Sequence, residues 1–279
     1  MHTNLSGRTA IVTGAGGVLA GRFALELARA GARVAVLDIN LDAANETKKA
    51  IEAIGGTAVT VRCDVLDRAS VEAAEREVTE RLGAYQILVN AAGGNDINVS
   101  TTNEQYSEDD VANPDVLSFF DLPVDGFNRV VALNLTGTFV PTQVFAKKML
   151  KEKNPVIVNI SSMSAYTALT KVVAYSAAKA AINSLTQWLA VHFGNTGLRV
   201  NAIAPGFIVT RQNRKMMTNP DGSLTPRSQK VINHTPMKRM GEAEDLAGAL
   251  LFLCDAEASA YINGVILPID GGFMAAPGV

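Results

Sequence analysis

Thr9-Ala10-Ile11-Val12-Thr13-Gly14-Ala15-Gly16-Gly17-Val18-Leu19-Ala20-Gly21 is an apolar, β-branched run that breaks into glycines and then turns helical. Glycines at the end of a strand let the backbone approach a pyrophosphate, which then lies against the N–H groups and positive dipole of the following helix. Gly14 and Gly16 stand at the first two glycine positions of a GxGxxG fingerprint, and Leu19 fills the third. Gly17 and Val18 complete the candidate phosphate turn. A second β-branched run ends at Asp38. An acid roughly 20 residues past the first glycine accepts hydrogen bonds from adenosine ribose hydroxyls and repels the extra phosphate of NADP. No basic residue follows Asp38 directly, since Ile39 and Asn40 come next. The expected cofactor is therefore NAD.

The same alternation continues to the end of the chain. β-Branched and apolar runs predict strands over 9–13, 33–37, 58–63, 87–90, 156–161, 199–204 and 265–269. Helical stretches fall over 19–30, 42–54, 70–82, 124–151, 175–193 and 244–255. Strands alternating with helices at this spacing are βαβ units on a parallel sheet, and continuous apolar strands are those covered on both faces. The expectation is an α/β, doubly wound parallel sheet of about seven strands with helices on both faces, forming a single domain over 1–279. Two segments break the rhythm. Residues 94–125 are polar, carry Glu108-Asp109-Asp110, and are expected to be a substrate-side loop insertion. Residues 207–242 are irregular and basic, and are expected to be a mobile substrate-binding segment. In open α/β sheets ligands bind outside the C-terminal ends of the strands, which both segments follow. The acidic triplet fits neither an EF-hand nor a paired-carboxylate catalyst and reads as a solvated surface.

Composition narrows the function classes. Of 279 residues, 48% are apolar and 19% charged, ordinary globular values with ample material for a core. A net charge of −2, from 25 basic and 27 acidic residues, gives no electrostatic reason for a nucleic-acid or membrane-surface partner. No apolar run has the length of a bilayer span, about 18 residues. Cys63 and Cys254 are too few for a disulfide framework and read as buried residues of a reducing compartment. The apolar start runs into glycines rather than a secretion signal, so a cytoplasmic location is expected. The three histidines, His2, His192 and His234, do not make a zinc site, and no metal is expected.

The chemistry-bearing signal is Tyr175-Ser-Ala-Ala-Lys179. Positions i and i+4 share a helix face, so the ammonium lies beside the phenol. A free tyrosine titrates near 10 and is a poor acid-base at neutral pH; a nearby cation favours the phenolate. Ser176 with Lys179 also fits the SxxK of serine acylases, but the SDN and KTG companions of that chemistry are absent. Ser162 lies 13 residues upstream of Tyr175 at the end of the predicted 156–161 strand. Asn134 sits in the preceding helix, and Asn90-Ala91-Ala92-Gly93 closes the fourth strand. This ordered set resembles the short-chain dehydrogenase/reductase family, a Rossmann-type fold, from Thr13-Gly14 through Asp64, Asn90–Gly93, Asn134, Ser162, Tyr175, Lys179 and Pro205-Gly206 to Asp270-Gly271-Gly272.

The resemblance implies roles. Tyr175 is the general acid-base, and Ser162 hydrogen-bonds the reacting oxygen as an oxyanion donor would. Lys179 lowers the phenol pKa and holds the nicotinamide ribose, and Asn134 organises a relay water. Asp64 contacts the adenine, Val65 beside it belongs to the cofactor site, Asn90, Ala91, Ala92 and Gly93 line the cofactor, and Ile208 and Thr210, after Pro205 and Gly206, meet the nicotinamide. The family motif TGxxxGxG is altered, with Val18 and Ala20 at its last two glycines. Spacing and strand alternation favour Ser162 over the adjacent Ser161. Finer features resemble the D-mannonate oxidoreductase (fructuronate reductase) branch: the glycine turn, Ala92-Gly93-Gly94-Asn95, Phe119-Phe120-Asp121, the stretch from Pro141 to Lys147, Leu169-Thr-Lys171 and Arg211-Gln-Asn-Arg214. That resemblance implies a sugar-acid substrate, with hydride exchange at a secondary alcohol or ketone.

A sugar acid needs a cation for its carboxylate and donors for its hydroxyls. Lys171 and Arg214 are the carboxylate candidates, and Asn95 and Gln143 the hydroxyl candidates. The alternatives are another polyol or sugar-acid dehydrogenase, such as a gluconate 5-dehydrogenase type, and a non-catalytic NAD-binding sensor. The intact Asn134, Ser162, Tyr175, Lys179 set speaks against the sensor, because a pure binder has no use for a tuned phenol. From 180 to 198 the chain has no Asp, Glu, Lys or Arg, and its apolar residues exceed one narrow stripe. Such a helix asks for burial beyond its own sheet, so a homo-oligomer, dimer or tetramer, is expected.

Overall fold

A computed structural model of the chain describes residues 3–209 and 217–276. Strand β1 (Thr9–Thr13) is buried along its whole length and lies inside the sheet, third of its seven strands. Around it are β2 (Arg33–Asp38), β3 (Ala58–Arg62), β4 (Ile87–Asn90), β5 (Val156–Ile160), β6 (Arg199–Pro205) and β7 (Ile266–Ile269). The order is β3-β2-β1-β4-β5-β6-β7, and every pair is parallel. The order reverses between β1 and β4, where Ala10, Ile11 and Val12 pair with Ile87, Leu88 and Val89. A crevice opens at such a switch point, beyond the C-terminal strand ends.

Strand alternation divides the core in two. Ala10, Val12, Val34, Val36, Val89 and Val158 face α1 (Val18–Arg29), α2 (Leu41–Ala53) and the last helix, α9 (Ala247–Cys254). Ile11, Ala35, Leu37, Leu88, Ile157 and Val200 face α3 (Arg68–Leu82), α6 (Gly137–Met149) and α7 (Val173–His192). Burying one Phe or Leu side chain contributes about 1.5–3 kcal/mol. Phe23 and Leu27 on one face and Phe145 and Met149 on the other are fully enclosed. Asn40 starts α2 by accepting the Asp42 and Ala43 N–H groups, and Asp67 starts α3 by accepting that of Ala69. Both are ordinary side-chain caps.

The strands lie within one residue of their expected ends; the expected 244–255 helix opens as a 3-10 turn, Ala243–Leu246, and becomes α-helical only from Ala247, and the helices differ in three further places. The stretch 124–151 is not one α-helix: α5 (Val124–Val131) passes through a π-helical turn, Ala132–Thr136, into α6. The Gly137 N–H reaches back to Ala132 O. Pro141 offers no N–H to the helix, while the Thr138 and Thr142 hydroxyls bond the carbonyls of Asn134 and Thr138. The insertion holds a short helix, α4 (Glu108–Ala112), begun by a Ser107–Asp110 capping box. The irregular basic segment holds α8 (Pro226–His234), with Thr225 accepting from the Ser228 N–H and Pro226 in its first turn. Only Ser228 and Val231 of α8 are buried, too few apolar positions for a periodicity to register. Among the described residues no helix is long and apolar enough to cross a membrane.

Candidate active site

The glycine turn is built by close approach. Gly14 has φ +66°, and a Cβ there would lie 2.7 Å from the Ala92 Cα, so the β1 turn and the end of β4 meet backbone to backbone. Thr13 Oγ1 accepts from the N–H groups of Ala91 and Ala92 at 3.1 and 3.2 Å, fixing both walls of the crevice. A Cβ on Gly16 would meet Ala43 Cβ at 2.7 Å and Asp38 Oδ2 at 3.0 Å. With none, the Gly16 N–H donates to Asp38 Oδ2 at 2.8 Å, while Asp38 Oδ1 accepts from Asn40 N–H at 2.9 Å. The acid at the end of β2 is thereby aimed from two sides.

Gly17 caps α1 with no side-chain partner, and the first turn holds no acid. Its N–H groups and dipole suit a phosphate. Val18 is the first helical residue and points outward, 38% exposed, while Ala20 is buried against the core. The two altered motif glycines thus occupy ordinary helical positions, where no glycine is required.

At the other wall the tetrad residues meet. Lys179 is buried on α7, and its Nζ donates to Ile160 O, the last residue of β5, at 2.7 Å. Its Nζ lies 5.4 Å from the Tyr175 ring centroid, one helical turn away. Ser162, two residues beyond β5, shares a hydrogen bond with the Tyr175 hydroxyl, and its Oγ accepts from the Ser164 N–H. Ser161 points the other way, to Asn183, as strand alternation requires.

Asn134 is fully buried in the π-helical turn. Its Nδ2 donates to Gly94 O and Val130 O, each at 2.8 Å, and its Oδ1 accepts from Gly94 N–H at 3.2 Å. A Cβ on Gly93 would lie 2.6 Å from Asn134 Oδ1 and 3.4 Å from Lys179 Nζ. Asn134 therefore clamps the end of the Asn90–Gly93 stretch against the lysine.

Electrostatics in this pocket run partly against expectation. Burial pushes the Tyr175 phenol above its ordinary value, and its bond with Ser162 works the other way. Burial lowers the Lys179 ammonium to about 8. The expected downward pull of Lys179 on the phenol does not dominate. The amine lies over the ring and is bonded to a backbone carbonyl rather than to the hydroxyl, and both groups lose water together.

The other sequence-predicted residues separate. Asp64 follows β3, where its Oδ1 accepts from Leu66 N–H and its N–H donates to Ser70; Val65 packs against Gly137. The Asn90 side chain points into the scaffold: Nδ2 bonds Thr142 Oγ1 and Asn159 Oδ1, both at 2.9 Å, and Asn159 bonds Thr186. Gly206 lies so close to Asp270 that a Cβ would approach its Cα to 2.6 Å, which joins Pro205-Gly206 to Asp270-Gly271. Ile208 is buried and bridges to Gly241.

Asn95 is exposed just past Gly94 and bonds Ser100. Lys171 has φ +77° and its carbonyl accepts from Thr101 N–H. Gln143 is not at the site: it is exposed and bonded to Arg68 across α3 and α6, because its neighbour Thr142 takes the inward direction. Thr210 and Arg214 lie outside the described residues. Sequence reasoning missed the carbonyl of Ile160 as the anchor of Lys179, and Thr13 as the crevice pin; only the position of Thr13 at the end of β1 signalled the latter.

A family model described as enoyl-(acyl carrier protein) reductase matches residues 14–274, the whole span from the glycine turn to Gly271-Gly272. The 7alpha-hydroxysteroid dehydrogenase of Escherichia coli (strain K12) is 36% identical over 272 residues, 97% of this chain and 96% of that one. The chain belongs to the short-chain dehydrogenase/reductase family. As a member of that family it is an oxidoreductase. The family's Bacillus subtilis (strain 168) member UxuB, described as an uncharacterized oxidoreductase, is 50% identical over 279 residues, 100% of this chain and 99% of that one. A Haemophilus influenza protein described as a candidate D-mannonate oxidoreductase was solved with bound NAD. It is 47% identical with a TM-score of 0.95, covering 99% of this chain and 98% of that one.

Proposed function

We propose that this short-chain dehydrogenase/reductase is an NAD-dependent enzyme that moves a hydride between the nicotinamide and a secondary alcohol or ketone of a sugar acid, with D-mannonate and D-fructuronate as the substrate pair. The observation that carries the chemistry is the convergence of Ser162, Tyr175 and Lys179 on the wall of the crevice opposite the glycine turn. The substrate assignment draws on the 47% identity to the Haemophilus influenza protein. A gluconate dehydrogenase type is the second reading, supported by a 30% identical candidate gluconate dehydrogenase from Agrobacterium tumefaciens with a TM-score of 0.85 over 99% of both chains.

The residues fit NAD. Close packing at Gly14, Gly16 and Gly93 brings the backbone walls of the crevice together around the place a dinucleotide would occupy, and Asp38 is aimed by two N–H groups. Gly14, Gly16, Gly17, Val18 and Leu19 would hold the pyrophosphate, and Asp38 the adenosine ribose. Asp64 and Val65 would flank the adenine. Ala91, Ala92 and Gly93 would line the path, with Asn90 bracing it from inside, and Pro205, Gly206, Ile208 and Thr210 would border the nicotinamide. The bound group supplies or accepts the hydride.

The chain's own residues manage the proton. In reduction the Tyr175 hydroxyl, kept protonated by burial, donates to the forming alkoxide. Ser162 donates a hydrogen bond to the same oxygen and stabilises its charge as it develops, which is where such donors act most strongly. Lys179, titrating near 8 one helical turn from Tyr175, can give up the proton that restores the phenol, and it would hold the nicotinamide ribose. Asn134 positions Gly93 and Gly94 beside that amine. In oxidation the same steps run backwards.

The test follows NADH absorbance with D-fructuronate, gluconate-derived keto acids and neutral ketones of similar length. Preference for D-fructuronate supports the assignment. Preference for a gluconate-type acid selects the second reading, and turnover of neutral ketones alone defeats both.

A further inference from the structure

Among the described residues, the loops leaving the C-terminal ends of β4, β5 and β6 bring a group of charges together outside the tetrad. Glu104 accepts from Lys230 Nζ at 3.0 Å and faces Arg227 Nη1 at 3.4 Å; both cations stand on α8. Arg227 also donates to Thr170 Oγ1 at 3.2 Å. Thr101 N–H donates to Lys171 O at 3.1 Å, which joins the first loop to the second. The Lys230 hydrogen bond, with the charges of Lys230, Arg227 and Lys171, holds the Glu104 carboxyl below its ordinary range. Three cations thus answer one acid. Lys171 is also held left-handed at φ +77°, a strained conformation for a non-glycine residue.

The chain ties this group to the tetrad at two points. Val99, five residues before Glu104, packs in one cluster with Ala174 and Tyr175, and Lys171 precedes Tyr175 by four residues. A six-carbon acid places its carboxyl carbon about 5 Å from a carbonyl four bonds away, within the reach of long basic side chains. The pairing with Glu104 is loose. Arg227 and Glu104 are partly exposed and Lys230 is exposed, and ion pairs so open to water contribute little. Arg227 meets Glu104 through a single long contact, so its planar fork remains suited to a bidentate carboxylate.

We propose that Arg227 and Lys230, together with Lys171, form the subsite for the substrate's carboxylate, and that Glu104 is an internal carboxylate which the substrate displaces. The proposal rests on the sugar-acid reading given above. It assigns specificity to α8, and it makes Glu104 a competitor whose removal improves the binding of acids.

Steady-state kinetics of Arg227→Met and Glu104→Gln with NADH test it, using D-fructuronate and a neutral ketohexose, with a thermal melt confirming that each variant folds. Arg227→Met is expected to raise the KM for the acid, relative to that for the neutral ketose, at least tenfold, with kcat for the acid within about threefold. Glu104→Gln is expected to lower the acid's KM severalfold. Two results overturn the proposal while the wild type still turns over the acid: an unchanged KM ratio in Arg227→Met, or an equal rise for acid and neutral substrate in Glu104→Gln, which marks a structural latch only. A wild type that ignores every sugar acid but reduces the ketose fails at the earlier step, the sugar-acid reading itself, and the subsite falls with it.

Discussion

Lys179→Met separates what the lysine does for stability from what it does for proton transfer. Methionine keeps most of the stem and removes the charge. Burial lowers the lysine from 10.5 to about 8, so the unfolded chain binds its proton more tightly than the folded one. Below pH 8 the folded wild type carries the whole penalty, about 3 kcal/mol at 1.36 kcal/mol per pKa unit. The penalty is relieved as pH climbs from the folded value toward the unfolded one, because in that window the unfolded state holds more protons. Losing the bond to Ile160 O costs the variant about 1 kcal/mol at every pH and leaves the slope untouched. At pH 7 the variant should be more stable than wild type by about 2 kcal/mol. By pH 9.5 wild type should have regained about 2 kcal/mol on it. Urea unfolding followed by far-ultraviolet circular dichroism at half-unit pH steps gives both curves, and NADH turnover should fall at least a hundredfold. Parallel curves, agreeing to about 0.5 kcal/mol across pH 7 to 9.5, would refute the buried, depressed lysine.

Ser162→Ala should cut kcat by about 10²–10³, the loss typical of one oxyanion donor. Because Ser162 works against the burial effect on Tyr175, its removal should also move the basic limb of the pH–rate profile upward. Asp38→Ala should raise the KM for NAD at least tenfold and narrow the discrimination against NADP; a wild type that prefers NADPH contradicts the role of this acid. Gly14→Ala should lose dinucleotide binding, measured by NADH fluorescence, because its Cβ meets the Ala92 backbone at a positive φ. Asn90→Ala should lower unfolding stability by about 2 kcal/mol or more, measured in urea, since Asn159 Oδ1 and Thr142 Oγ1 each lose a buried donor.

The strands were legible because each is covered on both faces, so β-branched apolar runs mark them almost to the residue, as in Thr9–Thr13 and Ile87–Asn90. The tetrad was legible because Tyr175 and Lys179 share a helix face, and because Ser161 and Ser162 must point opposite ways along an extended chain. The π-helical turn was hidden: the apolar pattern runs on through Ala132–Thr136, and hydropathy does not register one extra residue in a turn. The helix Pro226–His234 was hidden because its face rests on only two buried side chains. Gln143 was misplaced because motif proximity says nothing of facing, and the core hydroxyl belongs to Thr142. The sign of the Tyr175 perturbation needs the depth of the pocket and the carbonyl that holds the amine, neither of which a spacing of four encodes.

One residue too many in a turn rotates everything beyond it by about 100° relative to a regular helix. The widening at Ala132–Thr136 therefore lets a single rod present two differently phased surfaces, Val130 and Asn134 toward the Tyr175 side and Phe145 and Met149 toward the sheet. Deleting any residue there would regularise the rod but leave one surface facing the wrong way. Length in this segment is then under a stricter constraint than identity, and gaps between homologues should fall in the loops on either side of it and never within it.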